Sequence, residues 1–316
     1  MFSKEINKEL ELLSKSNNYR GMIGLAKDYI EITVAIAISI YFDNFLIYIL
    51  SIVFIGSRQR ALATILHDSA HRVLCKNSNL NDILGKYFSG YLIFQSFTAY
   101  VKSHVMNHHN FLGVKGKDPD YEMYIRSGVY DAINKKEFIF RHLVAPFFLS
   151  KSPLFVYYLF KERFGNLNER ESINIILYWF VILLVSYYFS MLDIVVMYWF
   201  IPLFTTFPMI GWFIELSEHY PIIESEHELY KTWNRFGNKL EGFLTGMHNE
   251  NYHLTHHLRA DIPYWNIDKA HKIMMNDPEY NKVNQSFGGI ISSSNRNNKS
   301  IIKHILSKYN GVAVLQ

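Results

Sequence analysis

Two long apolar stretches without a single basic residue constrain this chain more than any other feature. The first runs from about residue 29 to 56 and is interrupted by Asp43-Asn44. The second runs from about 173 to 216 and is interrupted near Ser190-Met191-Leu192-Asp193. Each is too long for one helical span of about 20 residues and long enough for two, with the polar interruption as the turn. The expectation is an all-α integral membrane protein with four transmembrane helices in two hairpins, at about 29–42, 45–66, 173–190 and 194–216. The first span is short and borrows residues upstream of Tyr29. The second continues as one helix out of the bilayer through His67 and His71.

Charge gives the expected orientation. No Lys or Arg lies between Asp28 and Ser57, or between Glu171 and Tyr230, so every basic residue falls on the side of both termini. By the positive-inside tendency that side is the cytoplasm. Hydrophobic residues make up 49% and aromatics 16%, which is rich for a soluble domain of this size. The net charge of +4 is too small and too scattered to point to a nucleic-acid partner. A single cysteine, Cys75, excludes an internal disulfide and a cysteine-built zinc or iron–sulfur site. It reads as a small buried or interfacial residue.

The flanks read differently. Residues 1–28 mix Lys4, Glu5, Lys8, Glu9 and Glu11 with Ile6, Leu10 and Leu13, a short amphipathic helix at the interface rather than a signal peptide. The apolar segment 143–160 is broken by Pro146 and Pro153 and reads as interfacial rather than spanning. Residues 286–300, rich in Gly, Ser and Asn, read as a flexible linker before a short helix in the tail 286–316.

Three histidine clusters at helical spacing carry the chemistry: His67-Asp-Ser-Ala-His71, His104-Val-Met-Asn-His108-His109, and His253-Leu-Thr-His256-His257. Residues one turn apart share a helix face, so each cluster can aim two or three imidazoles at one point. All three fall in 57–172 and 215–316, the cytoplasmic portion, where they form a helical cap. Imidazole suits iron, zinc, copper and nickel. Eight histidines are too many for one tetrahedral zinc and about right for two ions. His219 is a ninth candidate, level with the others at the end of the fourth span. Glu215, one turn earlier, and Asn249, four residues before His253, are further candidates. Asp68, Glu218, Asp118 and Asp120 are candidates to orient the rings through the second imidazole N–H, although Asp118-Pro119-Asp120 also reads as an ordinary turn. His142, His227 and His304 stand alone and read as surface or core residues. His248 and His271 flank the third cluster and are not taken as ligands.

These clusters resemble the three histidine boxes of the membrane fatty-acid desaturase superfamily, H-x(3,4)-H, H-x(2,3)-H-H and H/Q-x(2,3)-H-H. The similarity extends to Gly56-Ser-Arg-Gln-Arg-Ala-Leu62 running into His67-Asp68, to Asp118-Pro119-Asp120, to Glu218-His219, and to His248-Asn249-x-Asn251-Tyr252-His253. It covers about Tyr29 to His271 within an expected desaturase domain of 29–285. One departure is Leu258-Arg259-Ala260-Asp261 before Ile262-Pro263, where many relatives continue Leu-Phe-Pro. The resemblance implies a non-haem di-iron enzyme that holds two irons and reduces O₂ with two external electrons. Such an enzyme removes hydrogen from an unactivated C–H bond. It also implies a separate donor, a ferredoxin or b-type cytochrome with its reductase.

The expected reaction is desaturation of a fatty acyl chain, linked to a membrane lipid, coenzyme A or an acyl carrier protein. The alternative is a hydroxylase, or a desaturase of the same family, acting on an amino-acid-derived or other natural-product intermediate. A pocket with polar side chains in place of an apolar tunnel would favour that substrate. A non-catalytic membrane metal-binding protein is the remote alternative, because its spans would carry ionisable residues that are almost absent here.

Overall fold

The structure, a computed structural model, describes residues 2–166, 169–285, 287–295 and 298–310. The described residues are all-helical apart from one isolated bridge between Phe287 and Lys299. Among the described residues three helices are long and apolar enough to cross a membrane: Phe45–Ala70, Arg170–Tyr188 and Leu192–Leu216.

The expected first span lies within the helix Arg20–Phe42, which does begin upstream of Tyr29. It is not one of those three, because every 18-residue window of this helix carries Lys27, Asp28 and Glu31. Its buried stripe, Gly21, Gly24, Leu25, Asp28, Ile32, Ala35 and Ser39, repeats every three to four residues. Ala35 on that stripe lets it pack closely against Phe45–Ala70, where the Ser51 hydroxyl donates to the Ala35 carbonyl at 3.3 Å. The turn between these helices falls where the polar interruption predicts: Asp43 is left-handed at φ 41°, and the Asn44 side chain caps the next helix. The second hairpin also turns as expected, with Ser190 left-handed at φ 56°.

A fourth candidate crossing is a bent pair, Lys135–Phe148 and Ser152–Arg163, joined at 81°. This pair contains the segment expected to lie at the interface. Outside, Leu46, Leu50, Phe180, Val181, Leu184 and Tyr188 are exposed and apolar, a surface suited to lipid rather than water. The largest core, built around Trp212, Tyr220, Trp233 and Tyr280, takes in Leu254 of the third histidine cluster, while Leu66, Ala70, Phe97 and Tyr100 form a separate core beside the first two.

The tail departs from a flexible linker in its described part. Phe287 and Ile290 are buried, and the Glu241 carboxylate accepts from the Ile291 and Ser292 amides at 3.2 and 2.8 Å. A carboxylate can satisfy several amides at once, so polar composition alone does not leave this segment free. The expected short helix follows as Ile301–Ser307, with Ile301 and Ile305 buried.

Candidate metal centre

Each histidine cluster is aimed by a different local geometry. His67 and His71 close the Phe45–Ala70 helix one α-turn apart, with the His71 N–H donating to the His67 carbonyl at 3.0 Å. His253, His256 and His257 lie on the short helix His253–Leu258. The second cluster departs from the α-helical expectation. Val101–His108 is a π-helix, and the His109 N–H donates five residues back to the His104 carbonyl at 3.0 Å. The wider turn returns residue i+5 beneath residue i, which 3.6 residues per turn does not do. Only so do His104, His108 and His109 face one region together.

The nine histidines gather into two groups, in each of which the ligand atoms lie within 4.8 Å of one another. One is His67, His71, His104, His109 and His256; the other is His108, His219, His253 and His257. A further set, His104, His108 and Asp120, links them. In the first group the Nε2 atoms run from His67 to His256 at 3.0 Å, on to His109 at 3.1 Å and to His104 at 3.2 Å. In the second, the His253 Nε2 lies 2.9 Å from that of His219 and 3.1 Å from that of His257.

The donor set fits metal. Two ligands at right angles, each about 2.1 Å from an ion, stand about 3.0 Å apart, whereas a tetrahedral pair stands about 3.4 Å apart. The observed spacings match the first. The His219 Nδ1 faces the Lys231 carbonyl at 3.1 Å, which can only accept, so its Nε2 carries a lone pair. The His253 Nδ1 faces the Glu218 carboxylate at 3.5 Å, itself paired with Arg235 at 3.0 Å. Two lone pairs facing at 2.9 Å repel unless a cation lies between the rings. The His71 Nε2 is buried without a hydrogen-bond partner, which a metal bond would relieve.

All four expected orienting carboxylates reach an imidazole. Asp118 Oδ1 lies 2.9 Å from the His108 Nδ1, and Asp120 lies 3.3 Å from the same atom. Asp68 lies 3.3 Å from the His67 Nδ1 and also accepts from the Tyr264 amide at 2.8 Å. Asp118 is a helix cap as well, accepting from the Asp120 amide at 3.0 Å, so one carboxylate meets both the turn and the His108 ring. Burial first, then neighbouring imidazoles, push His71, His104, His109, His253, His256 and His257 well below the ordinary histidine range. Burial and His108 bring His219 down to about 3. These rings are therefore neutral, as metal ligands must be. Burial alone would lower His108 too, but Asp120 and Asp118 outweigh it and raise the ring to about 9, so a metal at its Nε2 must displace a proton while Asp118 keeps the one on Nδ1.

The remaining candidates fall outside the two imidazole groups. Glu215 lies outside both imidazole groups, and its carboxylate pairs with Arg60 at 2.9 Å. The Asn249 side chain donates to the Tyr264 carbonyl at 2.9 Å. His248 pairs with Asp28 at 2.7 Å and His271 bonds the Tyr280 hydroxyl at 2.8 Å, both apart from the centre. His227 is on the surface, His142 is fully buried, and His304 packs on Phe287.

Beside the imidazoles lies a cavity of about 130 Å³. His67, His104, His219, His253 and His256 form one part of its lining, and Leu154, Phe155, Phe207 and Trp212 another. Arg60 joins them, donating to Glu215 and Glu250 at 2.9 Å each, and so does Arg163, 3.4 Å from Asp120. Sequence reasoning gave these polar residues no role. Arg60 carried a signal, since positions 60, 64, 67 and 71 follow one helix face; Arg163 reaches the cavity only through the bent pair.

The fatty acid desaturase family model matches residues 43–288. The chain belongs to the fatty acid desaturase family. It is also 40% identical over 314 residues to dihydrorhizobitoxine desaturase of Bradyrhizobium elkanii, covering 96% of this chain and 89% of that protein. A desaturase-family oxidoreductase with helices of this kind is a membrane protein, and its family is generally di-iron. The relative's name does not support the fatty acyl substrate expected from the sequence.

Proposed function

We propose that this protein is an O₂-dependent di-iron membrane desaturase acting on a small polar natural-product intermediate rather than a fatty acyl chain. The observation that carries the substrate reading is the cavity lining. Arg60, Glu215, Glu250 and Arg163 stand beside the imidazoles where an acyl tunnel would be apolar. The name of the relative agrees, because a dihydro compound is a substrate from which two hydrogens are removed. The nine histidines of the two groups hold the metal, with Asn249 at the cavity wall as a further donor.

The balance is R–CH₂–CH₂–R′ + O₂ + 2 e⁻ + 2 H⁺ → R–CH=CH–R′ + 2 H₂O. Two irons supply O₂ reduction and hydrogen removal when bound. The chain's own residues do the rest. Asp118, Asp120, Asp68 and Glu218 fix the rings, Arg60 and its carboxylates bind polar groups of the substrate, and Leu154, Phe155 and Phe207 exclude water. Both electrons come from a separate carrier. The positive-inside tendency supports a cytoplasmic side for both termini and the centre.

Mass spectrometry of cells with and without the active protein, supplied with dihydrorhizobitoxine under air, tests this. The expected product is two mass units lighter than the substrate, with membrane lipids unchanged. New unsaturated acyl chains would contradict the substrate reading, and a gain of sixteen units would make the enzyme a hydroxylase.

A further inference from the structure

Three cations line the cavity, and their partners set one apart. Arg60 is matched by Glu215 and Glu250, and Arg163 by Asp120. Lys151 is not matched: no carboxylate lies within 4.0 Å of its Nζ among the described residues. That Nζ rests 4.2 Å over the Trp212 ring and lies 3.3 Å from the His142 Nδ1. An ammonium has three donors, so two remain for something in the cavity.

Its position makes the missing anion costly. Lys151 is only 9% exposed and occupies the break between Lys135–Phe148 and Ser152–Arg163. Phe147 and Phe148, just before it, point outward at 60% and 80% exposure. The chain thus turns its apolar side chains to the outside and its one charge inward. A buried ammonium is expensive unless paired, and a charge kept at such a place marks a binding function. Trp212, beneath the ammonium, stands one helical turn from Glu215, so an anion on Lys151 and the reacting centre share one cavity.

We propose that Lys151 anchors a carboxylate of the substrate, fixing which carbon lies against the metal centre. This rests on the small-substrate reading and deepens it. A single flexible ammonium suits a monoanionic carboxylate; a phosphate would call for more donors than the site holds.

The test is titration calorimetry of the iron-loaded protein in detergent with norleucine and norleucinamide, which differ in the carboxylate. The wild type is expected to prefer the acid by at least about tenfold, the usual size of a charged hydrogen bond. Lys151→Met should abolish the preference with metal content unchanged, and Lys151→Arg should keep most of it. A preference that persists in Lys151→Met, or no preference or no binding in the wild type, would overturn the proposal. So would loss of metal in Lys151→Met, which would mark a structural role. If the mass-spectrometric test instead found lipid oxidised, a Lys151-dependent preference would still establish a carboxylate site at Lys151, so the two failures are distinguishable.

Discussion

His253→Ala is expected to reduce metal content from two ions per chain to one and turnover to background, with membrane insertion unchanged. The reason is geometric. The His253 Nε2 lies between those of His219 and His257, at 2.9 and 3.1 Å, in the group with only four imidazoles. Its removal leaves His108, His219 and His257, a group one ligand short. Loss of a partner that merely orients a ligand costs about 10–100-fold in affinity or activity, so loss of the ligand itself should cost at least about 100-fold. Metal analysis and activity on the purified variant check this. His227→Ala is the control: the ring is half-exposed and pairs only with Glu279 at 3.5 Å, so both readouts should match the wild type. Near-normal turnover in His253→Ala would remove that group from the centre.

Gly211→Leu is expected to keep both ions and lose at least about tenfold in turnover, about 1.4 kcal/mol in transition-state stabilisation. A Cβ at Gly211 would meet only the Arg60 Nη1, at 4.0 Å, so the backbone and neighbours accept a side chain. Glycine inside a helix costs about 1 kcal/mol relative to alanine, so replacing it does not by itself weaken the fold. The new side chain instead enters the cavity of about 130 Å³ that Gly211 lines. Gly211→Ala should fall between the two. Melting temperature, metal content and turnover measured together separate this from unfolding. A Gly211→Leu enzyme with full turnover would mean that substrate binds elsewhere.

Much of the centre was legible in the sequence, because metal-binding histidines must recur at the spacing of the element that carries them. The nine histidines recur at such spacings, and the fold gathers their ligand atoms into two groups. The π-turn was legible but not read: His104 and His109 are five apart, and an α-helix cannot aim such a pair at one point. Glu215 suits a ligand by its position on the helix, but its partner Arg60 comes from another helix 155 residues earlier in the chain, which no local spacing reveals. Lys151 and Arg163 could not be read at all, since the 81° bend that turns them inward is a tertiary feature. The hairpin turns at Asp43-Asn44 and Ser190 were clear because a polar break in an apolar run has few other uses. In the described part of the tail, amides of Ile291 and Ser292 find the Glu241 carboxylate, a partner that composition does not reveal.

The most direct measurement is the metal content of the purified full chain, set beside its activity as iron is removed and restored. The two-group geometry predicts two irons per chain, with activity lost on chelation and recovered only as the second iron returns. One zinc per chain, or full activity without iron, would contradict it.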